Sequence, residues 1–376
     1  MENDLLYQLA LSRVPGIGPV YAKRLVDHFG EANAIFRAAP SVLAEAGSIG
    51  AARARAIMQF NDFSTLEKEL VFLEKYSIRP LFITDKDYPQ RLLRCKEAPV
   101  VLFYKGNADL NAQKIISVVG TRSPTEYGKQ TAERLIRELA PYGPVIVSGL
   151  AYGIDSVSHK AALKYGLQTI GILGHGLDQI YPPEHTGLAR KMAQQGGLLT
   201  QFGSNTTPEI HSFPLRNRIV AGMSDALVVV ETALRGGSML TVANAIDYKR
   251  KIFAFPGRIT DNRSSGCNAL IQKGEARILL DGRQLMQELE WAQPASMTRA
   301  QQTALFPELA DNSPLSKDEK SLLHLLRENE CLSLDEISAK EGLSSGTAAM
   351  ALLNLELQGF ISALPGKIYR LTNQST

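Results

Sequence analysis

Short apolar runs alternate with longer amphipathic stretches through the middle of the chain. The run 115–119 is β-branched except for Ser117, a pattern typical of a strand buried on both faces of a parallel sheet. Comparable runs continue for about 170 residues with helix-like segments between them, which predicts an α/β fold with a doubly wound, mostly parallel, Rossmann-like sheet. The predicted strands are residues 115–119, 145–147, 169–173, 226–230, 252–255 and 277–280, with a shorter one at 198–200.

Two further apolar runs, at 77–83 and 99–106, should extend this sheet and complete an extended Rossmann-like domain over residues 67–290. Residues 1–66 instead have a helical pattern with glycine turns near Gly16 and Gly47. The segment resembles a SAM-like pair of helix-hairpin-helix motifs, a module that grips nucleic-acid backbone. Residues 1–60 carry six Lys/Arg and five Asp/Glu, so DNA contact and a purely structural or partner-docking role both remain open.

The last part of the chain has a different pattern. Residues 291–314 have the composition of a linker, with three prolines. Residues 315–376 follow with three helix-like stretches and a hairpin around Pro365-Gly366, which predicts a winged helix. The segment has six Lys/Arg against eight Asp/Glu, and residues 344–358, the expected reading helix, contain no Lys or Arg. This charge favours protein contact or regulation over duplex reading.

Length, charge and cysteine content narrow the class of protein. A chain of 376 residues is long enough for two or three domains. A net charge of +3 permits an acidic partner without requiring one. The three cysteines are far apart, which argues against a disulfide framework or a zinc site and fits a reducing compartment. We expect a cytoplasmic protein, because neither a signal peptide nor an apolar run of roughly 18 residues occurs in the sequence.

The residues after each predicted strand carry the candidate chemistry, because ligands of open α/β sheets bind at the carboxyl ends of the strands. These segments are rich in glycine, which predicts a cradle of backbone N–H donors. Ser123 is a candidate N-cap with Pro124 at the first helical position, and this places Arg122 beside a helix N-terminus suited to phosphate. Asp155 is expected to cap the helix that carries His159 and Lys160.

Five basic residues should gather at this edge of the sheet, with aromatic residues between them as base-stacking faces or as core. A structural role is favoured for His159, because neither a second histidine nor a cysteine stands at ligand spacing. The basic residues are Arg122, Lys160, Arg216, Arg218 and Arg235, and the aromatic ones are Tyr127, Tyr152 and Phe213.

Signatures of catalysis are scarce in the sequence. Neither Gly-x-Gly-x-x-Gly after the first strand nor Gly-x-x-x-x-Gly-Lys-[Ser/Thr] occurs, so no dinucleotide or ATP-hydrolysing loop is predicted. Glu231 is the best lone carboxylate for acid/base work, and it has no paired residue. We therefore predict no catalytic residue, no metal and no cofactor.

Ordered motifs across residues 85–282 resemble the DNA-processing protein A (DprA/Smf) family. They include Gly120-Thr-Arg122, Ser148-Gly-Leu-Ala-Tyr-Gly-Ile-Asp155, Phe213-Pro214 and Arg216-Asn-Arg-Ile219. The resemblance implies a protein that is not an enzyme, that binds and protects single-stranded DNA, and that loads RecA onto it in natural transformation. It also implies a homodimer through the apolar run at Leu270 and Ile271. The residues implied for DNA binding are Gly120, Arg122, Ser148, Gly149, Gly153, Lys160, Phe213, Arg216, Asn217 and Arg218.

A second interpretation belongs to another class. A Rossmann-type nucleotide or phosphoribosyl hydrolase, related to the lysine-decarboxylase-like proteins, also uses a Gly-Gly turn. The Pro-Gly-Gly-x-Gly-Thr motif of that family is absent from this sequence. Release of base from nucleoside monophosphates would separate the two interpretations.

Overall fold

A computed structural model describes residues 2–291, 316–329, 331–357, 360–364, 366 and 368–371. The chain forms two compact units, Met1–Ser296 and Met297–Thr376. The helical segment and the sheet belong to the first unit, so the boundary predicted at residue 66 stays a prediction. The predicted linker 291–314 lies, apart from Trp291, outside the described residues.

The first unit begins with six helices that pack around two hairpin turns. In the first turn Gly16 has φ 77°, and in the second Ser48 has φ 54° at the equivalent position. The Nε of Arg53, beyond the second turn, donates to the Gly16 carbonyl over 3.1 Å, and its guanidinium lies 4.0 Å from the Tyr21 ring centroid. The predicted tandem of hairpins is confirmed. Its helices are α1 Glu2–Arg13, α2 Pro19–Phe29, α3 Ala32–Arg37, α4 Pro40–Glu45, α5 Gly50–Met58 and α6 Phe63–Lys75.

Polar contacts hold this helical segment against the sheet domain. The buried carboxylate of Glu69 accepts from the backbone N–H and the hydroxyl of Ser204 and pairs with Arg13 at 3.2 Å. The ammonium of Lys23 donates to the Leu93 carbonyl over 2.9 Å. The helical segment is therefore fixed to the sheet domain by its charged side chains as well as by shared apolar core.

A nine-stranded sheet forms the centre of the unit, in the order β1-β2-β6-β5-β4-β3-β7-β8-β9. The strands from β6 to β9 in this order are parallel. β1 and β2 extend the sheet at one side, as predicted, and they do so in antiparallel orientation. The chain order reverses between β3 and β7, which makes this the switch point where ligands of such sheets bind. The strands are β1 Arg79–Phe82, β2 Val101–Gly106, β3 Ile115–Val119, β4 Val145–Gly149, β5 Thr169–Ile172, β6 Gly196–Thr200, β7 Ala226–Val229, β8 Lys251–Ala254 and β9 Arg277–Ile278.

Helices cover both faces of the sheet, because alternate residues of each strand point to opposite sides. Ile116 and Val118 belong to the core on one face, whereas Ile115 and Val119 belong to the core on the other. All five residues of β3 are buried, as the β-branched run predicts. The helices are α7 Gln90–Leu93, α8 Glu126–Leu139, α9 Ile154–Lys164, α10 Thr186–Gln194, α11 Ser212–Met223, α12 Ser238–Asp247, α13 Ser265–Gln272 and α14 Gly282–Glu288.

The second unit is the predicted winged helix. Ser316 and Ser333 each form a capping box with a glutamate three residues on, and these boxes fix the starts of two helices. A three-stranded sheet in the order β10-β12-β11 completes the unit. Its elements are α15 Lys317–Glu328, β10 Leu332–Ser333, α16 Leu334–Glu341, α17 Ser345–Leu357, β11 Ile361–Leu364 and β12 Ile368–Leu371.

Candidate nucleic-acid interface

A cleft of about 500 Å³ opens at the switch point of the sheet. The ends of β3 and β4 form one part of it, and the segment after β7, together with α11 and α12, forms the rest. Six of the predicted site residues line it: Gly120, Arg122, Gly149, Phe213, Arg216 and Asn217. The geometry therefore brings this part of the predicted site together.

The floor of the cleft holds a buried cation. Arg216 is only 5% exposed, its Nη1 donates to the Ile172 carbonyl over 2.9 Å, and the Asp155 carboxylate lies 3.9 Å from the same nitrogen. A Cβ on Gly149 would overlap this guanidinium, so only glycine fits where β4 passes over it. Arg216 thus carries positive charge under the cleft and has little surface of its own.

Burial changes the ionisation of this pair in opposite directions. Desolvation raises the pKa of Asp155 above its ordinary value, although the Arg216 guanidinium acts against the shift. Desolvation lowers the pKa of Arg216, so burial disfavours the charged form of both partners. The pair is also incompletely satisfied, because Arg216 Nε has no hydrogen-bond partner among the described residues. An anionic group in the cleft would stabilise the guanidinium.

The prediction that Asp155 is an N-cap is wrong. Gly153 occupies the cap position of α9, with φ 82°, and the Thr121 carbonyl lies where its Cβ would be. Asp155 stands in the first turn of the helix, where its carboxylate faces Arg216 and accepts weakly from the Ala151 N–H over 3.4 Å. Gly153 therefore shapes the turn and is not among the residues that line the cleft.

The rim of the cleft is exposed and combines one cation with aromatic rings. The guanidinium carbon of Arg122 lies 5.2 Å from the Phe213 ring centroid, and the Tyr181 ring lies 6.3 Å from Phe213. Tyr181 and Tyr152 are 48% and 44% exposed, and the Tyr152 hydroxyl donates to Glu184 over 2.7 Å. This rim offers a cation for phosphate and ring faces for bases.

Two helices point their amino ends at the cleft. α9 begins beside Gly149, and α12 begins at Ser238, which lines the cleft together with Gly237. The first N–H groups of a helix have no partner within it, and the helix dipole adds positive potential at that end. Both effects favour an anion in the same space as Arg122.

Other predicted site residues lie beneath the cleft. The Ser148 hydroxyl is fully buried and donates to the Val118 carbonyl over 2.6 Å, so it is satisfied within the sheet. His159 is buried between Thr169 and the Gly149 carbonyl, as its predicted structural role requires. Burial lowers the pKa of His159 to about 4, so the neutral ring donates to that carbonyl through Nε2 and accepts from Thr169 at Nδ1.

Three predicted basic residues, Lys160, Arg218 and Arg235, are not among the residues that line the cleft. Arg218 is buried and donates to the side-chain oxygen of Gln201 over 2.8 Å, with Glu97 at 3.5 Å. Lys160 is exposed but lines a separate groove between α9 and α10. Arg216 and Arg218 are two positions apart in α11, so their side chains point to nearly opposite sides of the helix and do not form a single cationic face.

The start of α8 also differs from the prediction. Thr125, and not Ser123, is the N-cap, and its hydroxyl accepts from the Gly128 N–H over 3.1 Å. The buried Glu231 carboxylate accepts from the N–H and hydroxyl of Thr125 at 2.9 and 2.8 Å and so holds the helix start in place. The lone carboxylate that stood out in the sequence is therefore engaged in helix capping.

Several cleft residues are not among the predicted site residues. Ile210, which is 84% exposed, and Leu240 line its apolar lip. Tyr181 and Pro182 line a smaller adjoining pocket of about 40 Å³, which shares Arg122, Phe213 and Arg216 with the cleft. Tyr181 directly precedes a proline, whereas Ile210 and Leu240 lie near the starts of α11 and α12 without an adjacent glycine or proline. Tyr127 belongs to another surface, where its hydroxyl donates to the Pro256 carbonyl over 2.9 Å.

Within the described residues, no group of three or more His, Cys, Asp or Glu side chains is placed to hold a metal ion. In the same part of the chain, none of the helices is both long and apolar enough to cross a bilayer.

The chain combines three parts: a Rossmann-like sheet with a cationic cleft at its switch point, a helix-hairpin-helix tandem and a winged helix. This combination defines a class of DNA-handling α/β proteins. Profiles of known families match each part. That of the DNA recombination-mediator protein A family matches residues 79–290, a SAM-like helix-hairpin-helix tandem matches 9–60, and the DprA winged helix domain matches 306–367. The chain belongs to the DNA recombination-mediator protein A family.

Individual relatives agree with this membership. Protein Smf of Synechocystis is 33% identical, and the match covers 98% of this chain and 99% of that protein. The structure of DNA processing protein A from Streptococcus pneumoniae is similar with a TM-score of 0.66 and 33% identity, over 75% of this chain and 97% of that one. A Helicobacter pylori structure, described for its single-stranded DNA binding mode, gives a TM-score of 0.52 and 32% identity over 57% and 96%.

Proposed function

We propose that this protein binds single-stranded DNA in the switch-point cleft, protects it, and loads a RecA-type recombinase onto it. The observation that carries the proposal is the composition of the cleft. The exposed Arg122, the buried charge of Arg216 and the amino ends of α9 and α12 all favour phosphate, and aromatic rings stand on the rim. A single strand presents both backbone phosphates and unstacked bases to such a surface.

Each contact has a role in this proposal. Arg122 binds phosphate, and Phe213 and Tyr181 stack with bases. Gly120 and Gly149 line the cleft, and the absence of their Cβ atoms leaves room for Ile154 and Arg216. Arg216 and Ser148 support the cleft from below, and Asn217 donates from its side. The solved relative whose description names single-stranded DNA binding supports this ligand.

Self-association through the edge of the sheet is part of the proposal. In α13, Leu270 is buried and Ile271 is partly buried against the core. The neighbouring edge strand β9 leaves Ile278 44% exposed, and Leu280 just beyond it is 57% exposed. An exposed aliphatic edge favours pairing with the same edge of a second copy. Two copies would place two clefts on one strand and raise avidity.

Titration of single-stranded and duplex oligonucleotides at one salt concentration tests the DNA part. We expect preference for the single strand, and equal or stronger duplex binding would contradict it. Incubation with nucleoside monophosphates tests the hydrolase interpretation, for which released base would be required. Light scattering on the wild type and on Ile271→Glu tests pairing. A wild type that is monomeric at micromolar concentration would contradict the dimer.

A further inference from the structure

A second groove, of about 940 Å³, runs between α9 and α10 on one face of the sheet. Lys160 and Lys164 are four residues apart on α9, and Gly187 and Lys191 are four apart on α10, so each pair lies on one side of its helix. Gln194 adds an amide donor, whereas the Gln195 side-chain amide already donates to the Leu163 and Leu167 carbonyls. Leu163 and Leu188 complete the lining. None of these lining residues is acidic. The groove therefore presents cations and donors over an apolar base.

The lysines of the groove differ in availability. Lys164 is paired with Glu133 at 2.7 Å. Within the described residues, the ammonium groups of Lys160 and Lys191 form neither an ion pair nor a hydrogen bond, and both side chains are exposed. A Cβ on Gly187 would meet no atom within 4 Å, so the backbone there is open to close approach. Two unpaired cations facing each other across a groove suit a polyanion.

Short segments of chain connect the aromatic rim to the groove. Tyr152 lines the small pocket that adjoins the cleft and donates a hydrogen bond to Glu184. Gly187, three residues after Glu184, lines the groove. The Tyr152 ring also lies 5.2 Å from the His185 ring, so this junction is ordered by direct contacts. Lys160 lies on α9, which begins shortly after Tyr152, and Lys191 lies on α10, which begins shortly after Glu184, so two segments of chain lead from the aromatic rim to the groove lysines.

We infer that the α9/α10 groove is a second track for single-stranded DNA, continuous with the switch-point cleft, in which Lys160 and Lys191 bind backbone phosphates. The inference rests on the proposed function of the cleft and extends the length of strand that one subunit binds. The lysines act as exposed charges, and the apolar base of the groove accommodates sugars and bases. Glu184 opposes the ligand at the junction, since the hydrogen bond from Tyr152 lowers its pKa and keeps it anionic.

Oligonucleotide length separates the groove from the cleft. The test uses the full-length Lys160→Ala/Lys191→Ala variant and an oligothymidylate of about 20 nucleotides. We expect the slope of log affinity against log salt to fall by about 1.4 in magnitude, because about 0.7 is lost for each of the two phosphate contacts. An oligothymidylate of about 6 nucleotides is expected to occupy the cleft without reaching the groove, and it should bind the variant and the wild type equally. Arg190→Ala is the matched control, because Arg190 is exposed on α10 and does not line the groove.

Each outcome decides the inference. An unchanged slope with the long strand would overturn the second track and leave the groove to an acidic protein segment. Equal losses with both lengths, or an equal loss in Arg190→Ala, would also overturn it, because the lysines would then act through general charge. Failure of the wild type to bind either length would instead contradict the proposed function of the cleft.

Discussion

The floor and the rim of the cleft contain similar residue types in opposite environments. Under the floor, Arg216 is nearly enclosed and faces Asp155, with His159 bonded within the same layer. On the rim, Arg122 is exposed and contacts only the face of Phe213 among the pairs described. Contacts within the protein thus offset the desolvation of the charged groups in the floor, whereas the arginine on the rim stays available to a ligand. Arginine near the end of a strand therefore has two separable functions here, support and binding.

Removal of the buried cation should have the largest effect. For Arg216→Met we expect a loss of about 3–5 kcal/mol in the free energy of unfolding, because Asp155 is left as an uncompensated buried charge. Urea denaturation measures it, and Arg235→Met, at an exposed position, should change stability by less than about 0.5 kcal/mol. The double variant Arg216→Met/Asp155→Asn should recover part of the loss. A loss for Arg216→Met as small as that of the control would show that the floor is open to water.

The buried histidine should make stability depend on pH. Burial lowers the pKa of His159 from its ordinary value of 6.5 to about 4, so the unfolded chain binds a proton where the folded protein does not. This contribution is fully present above about pH 6.5 and is lost as the pH falls toward 4, by about 2 kcal/mol between pH 7 and pH 5. Asp155 titrates with the opposite sign, because burial raises its pKa.

Comparison of wild type with His159→Gln isolates the histidine, since Asp155 is present in both proteins. The variant should be less stable at pH 7, and the difference between the two unfolding free energies should shrink by about 2 kcal/mol at pH 5. Chemical denaturation at both pH values measures it. A difference that stays constant would mean that His159 titrates normally in the folded protein.

Local patterns predicted most of the fold. The β-branched run of β3 and the alternation after it define the sheet, and the two glycine turns define the hairpins, because both signals depend on residues close in sequence. The winged helix was also predictable, since Ser316 and Ser333 mark helix starts by local capping. These features are confirmed.

Burial of charge could not be predicted in the same way. Whether Arg216 or Arg218 faces solvent depends on how α11 packs against strands far away in sequence, and the sequence supplies no local sign of it. The caps at Ser123 and Asp155 were wrong for a similar reason, because Glu231 and Arg216, each more than 50 positions away, engage the segments concerned. The groove was missed because its lysines lie on two helices.

Removal of the exposed cation should leave stability unchanged and weaken binding. For Arg122→Ala we expect a change in unfolding free energy below about 0.5 kcal/mol, since no buried charge loses its partner. The slope of log affinity for a single strand against log salt should fall by about 0.7 in magnitude, because one phosphate contact is lost. Fluorescence anisotropy over a salt series measures it. Arg137→Ala removes an exposed charge at the other end of α8 and is the matched control; equal slopes in the two variants would remove Arg122 from the interface.

Deletion of the winged helix should have the smallest effect on DNA binding. This unit extends the comparison to a region without a cationic face. Residues 315–376 have six Lys/Arg and eight Asp/Glu, and α17 carries no Lys or Arg. Its exposed Met350 and Leu353, at 69% and 54%, are better suited to protein contact than to phosphate. Deletion of 315–376 should therefore leave single-strand affinity within roughly threefold, about 0.6 kcal/mol. Titration of both proteins with one oligonucleotide at one salt concentration measures it. A tenfold loss would mean that this unit binds the strand despite its net acidic charge. Exposed cations would then not be the feature that distinguishes DNA-binding regions from supporting regions in this protein.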